Sequence, residues 1–96
     1  MMTREEVLTT LRRHKPELQK KYPLSNIELF GSYARNEQTP ESDVDIMVEF
    51  NEPVGIEFVD LLIDLETILG RPVDLITKKS LRPKLKPYIE PDLIAV

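Results

Sequence analysis

From Asp43 to Phe50 the chain alternates with a period of two: Val44, Ile46, Val48 and Phe50 fall on one face of a predicted strand, Asp43 and Asp45 on the other. Ile27 to Phe30 predicts a second short strand, and Pro72 to Ile76, bounded by Gly70 and Lys78, a third. Helical spacing dominates elsewhere. Thr3-x-x-Glu6 is a capping-box signature, and Val7, Leu8 and Leu11 form an apolar stripe, so a first helix is expected from residue 3 to Tyr22-Pro23, kinked or restarted at Pro16. A second runs from about Ile56 to Leu69, entered through Pro53 and Gly55 and stopped by Gly70 and Pro72. Its polar stripe is Glu57, Asp60, Asp64 and Thr67, while Ile56, Val59 and Ile63 occupy a different sector from Phe58, Leu62, Leu65 and Leu69. So wide an apolar arc fits a helix squeezed between the sheet and the first helix, the preferred reading, or one sector meeting a partner protein. Ser80 is expected to cap a short helix broken by Pro83 and ended near Pro87, and Leu93 to Val96 to close the chain as an edge strand. The order of elements implies an α/β fold: a small mixed β-sheet covered by helices on one face.

Ninety-six residues, 41% of them hydrophobic, are expected to form a single domain spanning 1–96. The chain has no Cys and a single His, His14, which is expected to be a solvent-facing helical residue; thiolate and His-rich metal sites are excluded. No run approaches the ~20 apolar residues of a membrane span, so a cytoplasmic protein without membrane contact is expected. Net charge is −4, yet Lys78, Lys79, Arg82, Lys84 and Lys86 stand together without an acid, leaving 8 basic against 17 acidic residues elsewhere. General nucleic-acid binding is not expected from that balance. The basic cluster reads as a solvated loop and helix face, or, through Lys78 or Arg82, as a contact to a triphosphate or an acidic partner.

Charge on the Asp43–Asp45 face changes the picture. Two residues along a strand span ~6.6 Å, so the two carboxylates repel each other unless a divalent ion lies between them. Oxygen ligands with no Cys or His nearby suit Mg²⁺ or Mn²⁺. Upstream, Gly31-Ser32 follows the strand candidate directly, where the chain turns sharply and its backbone can approach a ligand. If Ser32 to Asn36 open a short helix, its free N–H groups and the Ser32 hydroxyl suit phosphate. Asp74 interrupts the third strand; either it is a solvated acid on an edge, or it faces the same side as Asp43 and Asp45 with Val73 and Leu75 packed on the helices. Arg35 is equally placed for a phosphate contact and for an ion pair with Glu37. Ser42 reads as a turn-stabilising hydroxyl and Tyr33 as packing near the turn.

The Gly-Ser-x10-Asp-x-Asp pattern at Gly31, Ser32, Asp43 and Asp45 resembles the signature of the DNA polymerase beta-like nucleotidyltransferase superfamily. Within it, GSYAR followed by SDVDIMVEF is most similar to the minimal nucleotidyltransferases, the MNT antitoxins paired with HEPN toxins. The resemblance spans roughly residues 25 to 96, with Asn36 standing where the family commonly has Gly; Asn tolerates a left-handed backbone, so the turn is expected to survive. What the resemblance implies is an antitoxin of a type VII-like pair, an adenylyltransferase moving AMP from ATP to a tyrosine hydroxyl of the cognate HEPN ribonuclease toxin. It implies Asp43, Asp45 and Asp74 as catalytic and metal-holding residues with Mg²⁺, or Mn²⁺, as cofactor, and Asp74 as the acid that deprotonates the acceptor. Gly31, Ser32 and Arg35 would bind the nucleotide, and a hetero-oligomer with the toxin is compatible with so short a chain. The alternatives are an inactive MNT antitoxin that neutralises by binding, and a stand-alone enzyme acting on a small molecule.

Overall fold

Thr3 starts the first helix as its sequence dictates: its hydroxyl accepts from the Glu6 N–H at 3.1 Å while Glu6 accepts from the Thr3 N–H at 2.9 Å. In the computed structural model, which describes residues 1–96, this helix, α1, runs unbroken over Arg4–Lys21 with Pro16 inside it. The expected restart at Pro16 does not occur. Val7, Leu8 and Leu11 before the proline and Leu18 after it are buried on one stripe, and that continuous packing outweighs the missing N–H.

Four strands form one sheet: β1 (Leu24–Phe30), β2 (Val44–Phe50), β3 (Val73–Thr77) and β4 (Ile94–Ala95), in the order β3-β2-β1-β4. β1 pairs antiparallel with both β2 and β4, whereas β2 and β3 are parallel and therefore need the crossover helix α3 (Glu57–Leu69) between them. The fold class is the expected mixed α/β. Leu29, Ile46 and Leu75 lie in register and are buried, with Val44, Val48, Ile27 and Val73, against Leu11 of α1 and Leu61, Leu65 and Leu69 of α3. Gly70 ends α3 in the left-handed region at φ 65°. No helix is long and apolar enough to cross a membrane.

Asp64 binds α3 to the end of α1. Its carboxylate accepts from the Tyr22 hydroxyl at 2.6 Å and from Lys21 at 2.8 Å, so this member of the polar stripe is structural rather than merely solvated. Burial, and then the bond to Asp64, pushes the Tyr22 hydroxyl up to about 12; the bonds from Lys21 and Tyr22 hold Asp64 below its ordinary value of 3.8. Asp64→Ala is therefore expected to cost about 1–2 kcal/mol in urea unfolding at pH 7. A lowered carboxylate pKa contributes stability above the unfolded value and loses it as pH falls through the folded one, so the wild-type advantage should vanish well below pH 4. An undiminished difference there would rule out the carboxylate as its source. His14 lies half-buried beside this contact, in a shallow groove with Glu17, Lys21 and Asp64, rather than fully in solvent as expected.

The squeezed-helix reading of α3 fails for one sector. Ile56, Val59 and Ile63 are 73%, 49% and 55% exposed, whereas Leu61, Leu65 and Leu69 make the buried stripe. The C-terminal region also departs from expectation. Ser80 does not cap a helix; it ends a 3-10 turn over Lys78–Ser80 capped by the Thr77 hydroxyl, and the short helix α4 (Lys86–Ile89) forms further on, with Pro87 in its first turn, where a missing N–H costs nothing. A second 3-10 turn, Glu90–Asp92, leads into β4. This segment crosses the face opposite α1 and α3, so the carboxylate face is partly roofed: Phe30 and Met47, which point that way, are both buried.

Candidate active site

Register places the site. Phe30 pairs with Asp45 and Asp45 with Asp74, so these three side chains form a row across β1, β2 and β3 on the face away from α1 and α3. Asp43 precedes β2, two residues before Asp45, and is exposed, as is Asp74. Asp74 is an exposed acid on the edge strand β3, and its register with Asp45 also puts it on the face that carries Asp45. The three carboxylates do not converge on a ready-made cation cage. They do crowd one another: burial first, then the charges of Asp74 and Asp43, push Asp45 up to about 6.

Gly31 lies directly against this row. It leaves β1 at φ +74°, and a Cβ there would overlap Asp45 Oδ2 and stand 2.8 Å from Asp45 Cγ. The turn and the acid pair, ten residues apart in the signature, are thus in contact through one missing side chain. Gly31–Ala34 forms the single turn α2, slightly earlier than the expected Ser32 to Asn36. Ser32 is half-buried in it, and Tyr33 is fully buried with Arg71 over its ring. Asn36 adopts φ 61°, so the left-handed turn that Gly would supply is kept.

Arg35 takes the ion-pair alternative, with a partner that sequence reasoning missed: it bonds Glu37 at 2.9 Å and Asp92 at 2.7 Å. Asp92 lies 57 positions downstream, and nothing local in the sequence signals the pairing. The Arg35 charge opposes, as the smallest of the contributions, the upward shift of Asp45. Ser42 stabilises its turn, accepting from the Thr39 N–H at 2.9 Å. Lys78, Lys79, Lys84 and Lys86 are solvated, whereas Arg82 reaches the pocket beside Asp74.

A Gly-Ser turn pressed against a carboxylate row on a small mixed sheet is the arrangement of nucleotidyltransferases. Residues 11–96 match the nucleotidyltransferase domain family, and the chain belongs to it. It is 55% identical to "Putative protein adenylyltransferase MJ1379" of Methanocaldococcus jannaschii over all of both chains. It is 45% identical to protein adenylyltransferase MntA of Thermococcus cleftensis over 85% of this chain and 84% of that one. Among solved structures it resembles a "putative minimal nucleotidyltransferase" with TM-score 0.77, 28% identity and coverage of 99% and 97% of the two chains. It also resembles the complex of tri-AMPylated Shewanella oneidensis HEPN toxin with MNT antitoxin, with TM-score 0.58, 25% identity and coverage of 96% and 66%.

Proposed function

We propose that this protein is the antitoxin of a HEPN/MNT pair and neutralises its cognate HEPN toxin by moving AMP from ATP to a tyrosine hydroxyl of that toxin. The observation that carries the reading is the Asp45–Asp74 row with Gly31 packed on Asp45, in a chain whose full-length relative bears the name of a protein adenylyltransferase. Gly31 and Ser32 receive the β and γ phosphates. Asp74 lies at the far side of the row from that turn and takes the acceptor's proton. The hydroxyl oxygen forms a bond to the α-phosphorus, the α–β bridging bond breaks, and pyrophosphate leaves with its electron pair.

The donor set fits a hard divalent cation: three carboxylates with no softer ligand, and an Asp45 carboxylate whose charge is opposed by its neighbours. Asp43, Asp45 and Asp74 are the residues that would hold Mg²⁺ or Mn²⁺, and the chemistry such an ion supplies when bound is neutralisation of charge on the α-phosphate and pyrophosphate. Asn36 in its left-handed conformation removes one reason to regard the site as inactive. A cytoplasmic setting, with ATP at hand and no membrane contact, fits the proposal. Labelled AMP transfer from ATP to co-purified toxin is the test. Transfer is expected to require Mg²⁺ or Mn²⁺ and to fall at least ~100-fold in Asp43→Asn; an inhibited toxin that carries no AMP would overturn the proposal.

A further inference from the structure

One turn of helix does not hold itself. Isolated helices shorter than ~12–15 residues are marginal in water, and α2 has 4 residues and no side-chain cap, so its order comes from what packs on it. Tyr33 is its anchor: the side chain is fully buried, and the Arg71 guanidinium lies over the ring, 5.9 Å from the centroid. The Tyr33 hydroxyl is buried without a hydrogen-bond partner, and so is Arg71 Nε. Hydrogen bonding therefore does not account for the pair; the ring face and the flat cation do.

Arg71 reaches beyond the ring. Its Nη2 donates to the Pro40 carbonyl at 3.3 Å, and the carbonyl of the next residue, Pro72, accepts from the Val44 N–H at 3.0 Å. Pro40 lies in the connection from α2 to β2, and Val44 stands between Asp43 and Asp45. One dipeptide thus ties together the turn, the connection and the start of the acid strand. Arg4 also holds the turn, donating to the Ala34 carbonyl at 3.3 Å, but from α1; Arg71 joins it to the strand end. Gly31 meets Asp45 with no room for a methyl group, so any slip of α2 against β2 alters that contact. We propose that Arg71 is a positioning residue for nucleotide transfer. Through Tyr33 and Pro40 it fixes the Gly31–Ser32 turn against the start of β2, so that phosphates seated on the turn lie beside the carboxylates; the inference rests on the transfer reading above for what the turn binds.

The test compares Arg71→Met with the wild type in native-state hydrogen exchange, MgATP binding by calorimetry, and AMP transfer to the toxin. Arg71 is only partly buried, so the variant is expected to fold. The backbone amides of Arg35, Asn36 and Glu37 donate to the carbonyls of Gly31, Tyr33 and Ser32 and so report on the turn. They should exchange at least ~10-fold faster in the variant, and the amides of the β1–β2 ladder no more than about 3-fold faster. Affinity for MgATP should fall about 10-fold, and KM for ATP should rise with it while KM for the toxin stays unchanged. Tyr33→Phe keeps the ring face and should match the wild type throughout. Equal acceleration of turn and ladder, no acceleration, or a faster turn with unaltered MgATP affinity overturns the proposal. A Tyr33→Phe variant as loosened as Arg71→Met would place the anchor in the hydroxyl and overturn it too. A selectively loosened turn with weakened MgATP binding, in a protein whose wild type transfers no AMP, supports the role of Arg71 and counts against the transfer reading.

Discussion

Replacing Asp45 by Asn is expected to abolish AMP transfer and, in the same molecule, to raise the melting temperature. Both effects come from one charge. The Asp45 carboxylate is half-buried between Asp43 and Asp74, and its pKa of about 6 against an ordinary 3.8 means that folding opposes its ionisation. A tenfold change in proton affinity corresponds to about 1.4 kcal/mol, which bounds the penalty near 3 kcal/mol. Solvent screening of the exposed Asp43 and Asp74 reduces it, and about 1 kcal/mol is the expected gain at pH 7.5 without divalent ions. For a domain of this size that is a rise of about 4–8 °C. Asn is isosteric and uncharged, so it removes the repulsion without changing the shape of the site. The sign in the wild type follows from the raised pKa: stability from this group is fully present below about pH 4, and is lost as pH rises through 6. The melting-temperature difference between variant and wild type should therefore be largest above pH 7, narrow as pH falls through 6, and close toward zero only below about pH 4. Activity moves the other way, down ~100- to 1,000-fold or more, because a neutral amide is a poor ligand for a hard cation. Thermal melts in EDTA across pH, alongside labelled AMP transfer, check both. A variant no more stable than wild type at pH 7.5 would show that the carboxylates do not oppose one another as described.

The same crowding explains which parts of the site were legible in the sequence. Alternation from Val44 to Phe50 was sufficient to put Asp45 on the strand face opposite Val44, Ile46 and Val48, because a period of two leaves no other choice; Asp43 falls just before the strand that was expected to include it. Asp74 was legible only as an interruption, and it took the parallel register of β2 and β3 to set it opposite Asp45. Phe30 carried an unread signal: a large apolar residue on the acid face needs a cover, and the segment from Ser80 to Ile89 supplies part of one. Sequence could not show that cover, since Pro83, Pro87 and Pro91 leave only short turns with no periodicity to read. The Arg35–Asp92 pair, which links the end of α2 to the same segment, is a long-range contact without any local pattern. On α3 the width of the apolar arc was read correctly from spacing, but the choice between a buried and a free sector depended on where α1 lies. Pro16 was overweighted for a related reason: a local penalty is visible in sequence, and the packing of Leu11 and Leu18 that offsets it is not.

Gly31→Ala should be among the most damaging single-methyl additions in this chain, and its damage should be traceable to Asp45. Two costs are separable. The left-handed backbone at φ +74° costs an L-residue about 1–2 kcal/mol wherever it occurs. The methyl also meets the Asp45 carboxylate, with Asp45 Cγ at 2.8 Å and Cβ at 3.1 Å, and only the flexible carboxylate end can yield. Yielding rotates the oxygen atoms from their place beside Gly31 and Asp74, so activity should fall ~100-fold or more even in protein that remains folded. A double-mutant cycle tests this directly. In an Asp45→Ala background the carboxylate is gone, and Gly31→Ala should cost only the backbone contribution, leaving a coupling of about 1 kcal/mol or more between the two positions in urea unfolding. Purely additive costs would mean that Gly31 serves the turn alone and that its contact with Asp45 contributes nothing. Coupling instead makes the glycine part of the carboxylate site: a position kept empty so that the acid beside it can point at the substrate.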